Sequence, residues 1–434
     1  MSELSDSLAR ALPGSNGESM PDWLSALQTR GSEQFRRLGL PTMRVEQWKY
    51  TSLRALERAQ PALGFNDSDA EAAGTPEPLA NIPLRVSMVD GNFSSLQGAL
   101  PSGTRIMPLS AAIAEGGRQP KALLESLEID QRGQGFSALN TATLNPGLLI
   151  HVNQGADGGV LLLQWLGSER ASAESLFNSR LCVVLEEGAR LHLVEQFEQG
   201  PQSTSMLNVV VQSSLGPGSE LSHTRVQEQS AKSVLITRTD VSQGASSRFH
   251  FTGLDLGKGL ARHDVRAALM GNGAVCALNG ACITAGRSHV DHHLEAMHIA
   301  GECHSSQLFR AVASDRSRVV FNGKVHVGRG ADGTEAQQSS KGLLLSPHAE
   351  IDTKPELEIY ADEVIASHGA TVGQLDDQAL FYLRSRGLSK AAATHLLTMA
   401  FCRSVADQLP VEILRESLGE RLSRCLASIG SADV

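Results

Sequence analysis

The chain has 434 residues, of which 41% are hydrophobic, 20% charged and only 4% aromatic, and it carries a formal net charge of −9. That is ample apolar material for a core and too much chain for one ordinary small domain, although a stacked repeat absorbs such length in one body. The scarcity of aromatics argues against a stacking platform for single-stranded nucleic acid or sugars. The acidic balance excludes a broad phosphate-binding face.

The first residues, MSELSDSLARALPGSNGES, lack a basic segment followed by an apolar one, and no run nears the roughly 18–20 apolar residues that span a bilayer. A cytoplasmic protein with no nucleic-acid or membrane partner is expected. Its cysteines, Cys182, Cys276, Cys282, Cys303, Cys402 and Cys425, form no CxxC pair and are expected as reduced thiols. Cys276 and Cys282 are an even number of positions apart, so one strand would carry both on one face, as small buried hydrophobes.

In chain order, residues 1–82 read as a helical arm and linker. Ser19 and Pro21 mark a helix start, and Trp23, Leu27, Phe35 and Leu38 give an apolar stripe that ends near Gly39. In VEQWKYTSL, residues 45–53, Trp48 and Tyr50 read as anchors that pack the arm onto something. Residues 59–82, rich in Ala, Pro, Asp, Glu and Gly, read as the linker.

Residues 83–373 read as a β-rich core. PLRVSMVDGNF begins it with a strand and a turn, and residues 108–128 read as a helical insertion. Beyond residue 147, short β-rich runs restart after turns at Gly188 (EGARL), Gly218 (PGSEL), Gly244 (QGASSRF), Gly273 (NGAVC) and Ala349 (PHAEI). The first four recur at roughly 26–30 residues, the signature of stacked repeats, and the last is out of step. Long helical patterns do not intervene, which excludes a βαβ sheet. A meander would favour tight NG or DG hairpins. A β-solenoid fits better, because each coil pairs with its neighbours over a continuous core. Its end coils leave open strand edges that need a cap or a partner.

Residues 374–434 read as a C-terminal helical domain. Asp376 and Asp377 cap a helix running to Ser385, and Gly387 ends it in a left-handed conformation. Ser389 opens a second helix to about Gln408. Pro410 is expected in the first turn of a third, where Leu414, Leu418, Leu422 and Leu426 recur every fourth residue.

Energy-coupling motifs are missing. GxxxxGK[ST] and GxSxG are both absent. The chain is therefore expected not to hydrolyse nucleotides. SHVDHHLEAMHIAGECHSS, residues 288–306, holds His289, His292, His293, His298, His304, Asp291, Glu295 and Cys303. Such groups can bind zinc or iron. Their spacing matches no local helix motif, however, and strand parity scatters them over two faces. A polar solenoid face of hydrogen-bonded histidines is the simpler reading. His368 stands apart, where the β-rich region gives way to helices, with small neighbours Gly369 and Ala370. Local chemistry leaves it open between a structural residue and a reactive one.

ELEIYADEVIASHGATVGQLDDQALFYLRSRGLS, residues 356–389, resembles the signature of the SufB/SufD family of iron–sulfur cluster assembly proteins. The resemblance extends through KGLLLSPHAEIDTKPELEIYADEV, RVVFNGKVHV and the histidine-rich stretch to EQWKYTSL, and is closest to the SufD branch. It implies a mainly β protein, a right-handed parallel β-helix (solenoid) core flanked by N-terminal and C-terminal α-helical regions. It also implies a non-catalytic scaffold that pairs with SufB through the β-helix. The SufC ATPase would dock on the C-terminal helices, around Leu380 to Leu422, with Leu380, Phe381, Tyr382, Arg384 and Arg386 as candidate contacts. His368 would hold nascent Fe–S cluster or iron at the SufB interface, beside a SufB cysteine, and the isolated chain would keep no tightly bound cofactor. Many such sequences carry cysteine two residues before this histidine; Ala366 stands there in this chain, so no thiolate comes from that position. The alternatives are a SufB-like homodimeric scaffold, in keeping with a homodimer of the isolated chain, and a β-helix enzyme acting on polysaccharide.

Overall fold

The computed structural model describes residues 2–13, 21–64, 72, 77–129, 133–144, 146–168, 175–198 and 206–430. Ser19 and part of the expected linker, residues 65–71 and 73–76, lie outside the described residues. The chain winds into a parallel β-solenoid with two facing ten-stranded sheets. From Ser175 to Leu344, consecutive strands alternate between the sheets, so each strand pairs in parallel with those one coil before and one coil after. Glu220, for example, lies beside Arg190 on one side and Arg248 on the other.

Strand parity builds the core. In His289–His298, the even positions Val290, His292, Leu294, Ala296 and His298 are all buried, as alternation on a pleated strand requires. Such inward positions from successive coils merge into one apolar cluster running from Leu84 to Phe321, with Phe309 and Phe321 stacked at 4.4 Å. Cys276 and Cys282 sit together on Val275–Thr284, both buried. The strand–turn reading of PLRVSMVDGNF corresponds to an antiparallel hairpin, Leu84–Val89 with Asn92–Gln97. That hairpin and the antiparallel strand Thr104–Pro108 close the first end of the stack.

The turns form two columns. In one, Gly188, Gly218, Ser246 and Gly273 have φ of 67°, 63°, 54° and 70°. Each donates its backbone N–H to the turn of the next coil: Gly188 to Pro217 O, Gly218 to Ala245 O, Ser246 to Asn272 O and Gly273 to Gly301 O. Gly244 is thus not the repeat's left-handed residue; Ser246 is. The PHAEI turn belongs to the opposite column, with those at Gly286 and Asp315, because it leads into the strand Glu350–Ile359 of the other sheet. That explains its irregular spacing.

Helices cover the solenoid's outer faces. Asp22–Leu38 buries Leu24, Leu27 and Phe35, so Leu24 takes the place expected of Trp23 in the stripe. Trp48 is buried, stacks on Phe136 at 5.8 Å and lies 4.0 Å beneath the Arg262 guanidinium, whereas Tyr50 is half-buried beside Arg318. Leu109–Ala114 and Arg118–Glu125 are helical. At the C-terminus, the Asp376 carboxylate accepts from Gln378 N at 2.8 Å to start Asp377–Ser385. Ser389 likewise caps Lys390–Ala406. Pro410 falls before the last helix, Glu412–Gly430, rather than in its first turn. Leu414, Leu418, Leu422 and Leu426 are buried in a cluster with Leu162, Val194, Val226, Leu254 and Ile283 of the solenoid. Each such burial contributes about 1.5–3 kcal/mol. The stripe is therefore internal packing, and the Leu422 end of the span expected to dock a partner is unavailable.

Candidate functional site at the open end of the solenoid

His368 lies on the last strand, Val364–Gly373, which pairs on one side with Thr334–Leu344 and ends its sheet. Register shows where it points. His368 is beside Gln338, Gln338 beside Gln307, and Gln307 beside Leu278, all three being buried. Register neighbours in a parallel sheet share a face, so His368 completes an inward column at the mouth of the solenoid. Gln338 donates to Gln307 Oε1 at 3.1 Å just behind it. His368 itself is exposed and makes no side-chain hydrogen bond or ion pair among the described residues. Ala366 occupies the preceding inward position, beside Ala336, and supplies no ligand atom.

The last coil is the least covered. Glu350–Ile359 and Val364–Gly373 contain no buried residue, and Ile365 is 67% exposed and Tyr360 59%. The helix Asp377–Ser385 follows directly and has no buried residue either. On it Leu380 is half-buried and Phe381, Tyr382 and Arg384 are exposed, with the guanidinium of Arg386, at its end, 5.2 Å from the Tyr382 ring. The expected cluster residue and the expected docking residues are thus neighbours in sequence at one bare end.

The histidine-rich strand is dispersed, as parity predicts. On the outer face His289 meets Thr51 at 2.9 Å, while Asp291 is ion-paired with Arg262 at 2.5 Å and His293 at 3.1 Å. On the inner face His298 meets Ser305 at 2.8 Å and His292 meets Asp255 at 2.6 Å. The hydrogen-bonded histidines therefore lie on two faces, one beneath the N-terminal arm and one inside the solenoid.

The interior holds a buried polar thread that sequence reasoning missed. Glu195 accepts from Trp165 Nε1 at 3.0 Å, faces His223 at 2.6 Å and pairs with Arg225 at 2.7 Å. Arg225 donates to Thr237, whose hydroxyl meets His263 Nδ1 at 2.7 Å. His263 and His292 then flank Asp255 at 3.0 and 2.6 Å. Burial pushes the Asp255 carboxyl up, but the two facing imidazoles outweigh it and hold it well below the usual carboxylate range. Burial lowers the His263 imidazole against the pull of Asp255. Burial and the Asp255 charge raise the Cys282 thiol far above its usual value. The available signal was register: His263 and His292 lie one coil apart in direct alignment.

The molecule is thus a two-sheet parallel solenoid, bare at one end, with a histidine at that mouth and an exposed helix beside it. Residues 168–401 match the SUF system FeS cluster assembly, SufBD core domain, over half of the chain, and the protein belongs to that family. It is 28% identical to the iron–sulfur cluster assembly protein SufD of Escherichia coli over 91% of each chain. It is 30% identical to an iron–sulfur cluster assembly SufBD family protein of Synechocystis sp., covering 90% of this chain and 87% of the relative. Similarity to the chloroplastic protein ABCI7 of Arabidopsis thaliana is 26%, over 95% and 88% of the two chains. The protein is a SufD-like member of the family. Among the described residues, no helix is long and apolar enough to cross a membrane.

Proposed function

We propose that this chain is the non-catalytic SufD-type subunit of an iron–sulfur cluster scaffold. The bare last coil pairs with the corresponding coil of a SufB partner, and His368 offers an imidazole to nascent cluster or iron in that junction. The observation that carries the reading is the placement of His368 on an inward column at an uncovered solenoid mouth. Clusters normally take thiolates, with histidine the less common substitute. One imidazole facing a partner's cysteine makes a weak site, which suits a scaffold that must release its product. A SufC ATPase docks on Asp377–Ser385 through Leu380, Phe381, Tyr382, Arg384 and Arg386. Its movement is transmitted to the junction, because this helix follows the His368 strand after only a short connection.

The test is cluster formation in a co-expressed SufB–SufC–SufD-type complex, wild type against His368→Ala, purified without oxygen. Iron, sulfide and visible absorbance are measured after intact assembly has been confirmed. A several-fold loss of cluster in an intact complex is expected. Unchanged loading would remove the ligand role and leave His368 a residue of the solenoid rim.

A further inference from the structure

We propose that Asp255, His263, His292 and Cys282 form a second, interior metal site that takes a single divalent transition ion, zinc or ferrous iron. The inference does not depend on the role of His368. The four residues form a square across the solenoid. Asp255 and Cys282 are register neighbours in adjacent coils of one sheet. His263 and His292 are register neighbours in adjacent coils of the facing sheet. One ligand atom from each of Asp255, His263 and His292 lies within 4.8 Å of the others, and Cys282 Sγ is 3.9 Å from Asp255 Oδ2. All four side chains are buried.

Charge balance separates this carboxylate from the buried Glu195 and Asp291. Glu195 is neutralised by Arg225, and Asp291 by Arg262. Asp255 is ion-paired with no arginine or lysine among the described residues; two imidazoles and the Cys282 thiol face it. An isolated buried carboxylate is costly unless paired or metal-bound. A divalent ion supplies the missing charge, and loss of the Cys282 thiol proton to solvent then brings ion, carboxylate and thiolate to neutrality. Two imidazoles, a carboxylate and a thiolate suit a borderline ion in tetrahedral geometry, with metal–ligand distances of about 2.0–2.3 Å. Such distances separate neighbouring ligand atoms by about 3.3–3.5 Å. The present imidazole–carboxylate gaps of 3.0 and 2.6 Å and the 3.9 Å sulfur contact require shifts of less than about 1 Å to reach them. His263 also has an outer partner, with Nδ1 against the Thr237 hydroxyl, the arrangement that orients a metal-bound imidazole. Because the site is enclosed, the ion enters as the coils close around it.

The full chain is therefore expressed in minimal medium containing zinc, cobalt or, anaerobically, iron, then dialysed against a weak chelator and assayed for metal and acid-labile sulfide. Wild type is expected to retain about one ion per chain without sulfide. Asp255→Asn and His292→Gln are expected to lose it at least tenfold, whereas His368→Ala keeps it. The cobalt form should show tetrahedral ligand-field bands and a thiolate charge-transfer band, the latter abolished by Cys282→Ser. Wild type with no more metal than Asp255→Asn, equal loss in His368→Ala, sulfide accompanying the iron, or an octahedral cobalt spectrum would each overturn the site. If the two ligand variants fail to fold, the metal content and cobalt spectrum of wild type decide the matter alone.

Discussion

Glu195 shows how much one interior side chain contributes in a fold this narrow. Burial pushes its carboxyl up, but the Arg225 guanidinium and the His223 imidazole more than reverse that and bring it from the ordinary 4.5 down to about 2. A carboxyl lowered by folding contributes stability that is present in full above its unfolded value and lost as pH falls through its folded value. Over this window the unfolded chain binds more protons, so stability rises with pH. The shift corresponds to roughly 3 kcal/mol, lost between about pH 5 and pH 2. Glu195→Gln removes this dependence and leaves Arg225 buried without a counter-charge, at a cost of about 3–5 kcal/mol near neutrality. Urea unfolding at a series of pH values should show a lower midpoint at pH 7 and a shallower acid slope in the variant. An unchanged acid slope would mean that the loss of stability comes from other carboxylates.

At the scale of the coil, the turns set the pitch, and they make different demands on the glycines within them. Gly218 has φ of 63°, yet a Cβ there would meet nothing within 4 Å. Gly218→Ala should therefore cost only the left-handed penalty, about 1–2 kcal/mol. Gly244 is constrained by close approach instead. Its Cβ would come within 2.9 Å of Leu215 O and 3.0 Å of Pro217 N, backbone atoms of the preceding coil. Gly244→Ala must separate two stacked turns, and thermal melts should rank it well below Gly218→Ala. Equal melting temperatures would contradict that ordering. The same distinction sets what could be read from the chain. The near-repeat of turns was visible in sequence because most of them carry glycine. Their phase was not, since Ser246 takes a left-handed conformation and two turn columns interleave. The leucine stripe was legible by its period, but not the surface it covers. The interior group at Asp255 was hidden more deeply, because its residues meet only when strands of opposite sheets face each other across the core.

The whole molecule is asymmetric end to end. Antiparallel strands close one mouth, while at the other the strands Glu350–Ile359 and Val364–Gly373 terminate their sheets with Ile365, Tyr360 and Val372 exposed. An open parallel edge with apolar residues on it invites another strand. The signature containing His368 and the exposed helix were both readable from the sequence, yet parity alone could not say that His368 faces the mouth; the register with Gln338 was needed. The arrangement separates two surfaces, and they can be tested apart. Ile365→Lys places a charge on the outer side of the last strand, where nothing covers it. The stability of the isolated chain should change by no more than about 0.5 kcal/mol. Co-purification of a SufB partner should fall several-fold. Phe381→Ala, on a helix with no buried residue, should reduce SufC retention while leaving SufB bound. Leu418→Ala serves as the contrast, because its leucine packs on the solenoid and its loss should cost about 2–5 kcal/mol before any partner is added. If Ile365→Lys leaves SufB pairing intact, the junction is not at this mouth. His368 would then lie on a free rim, and the cluster would have to form elsewhere on the complex.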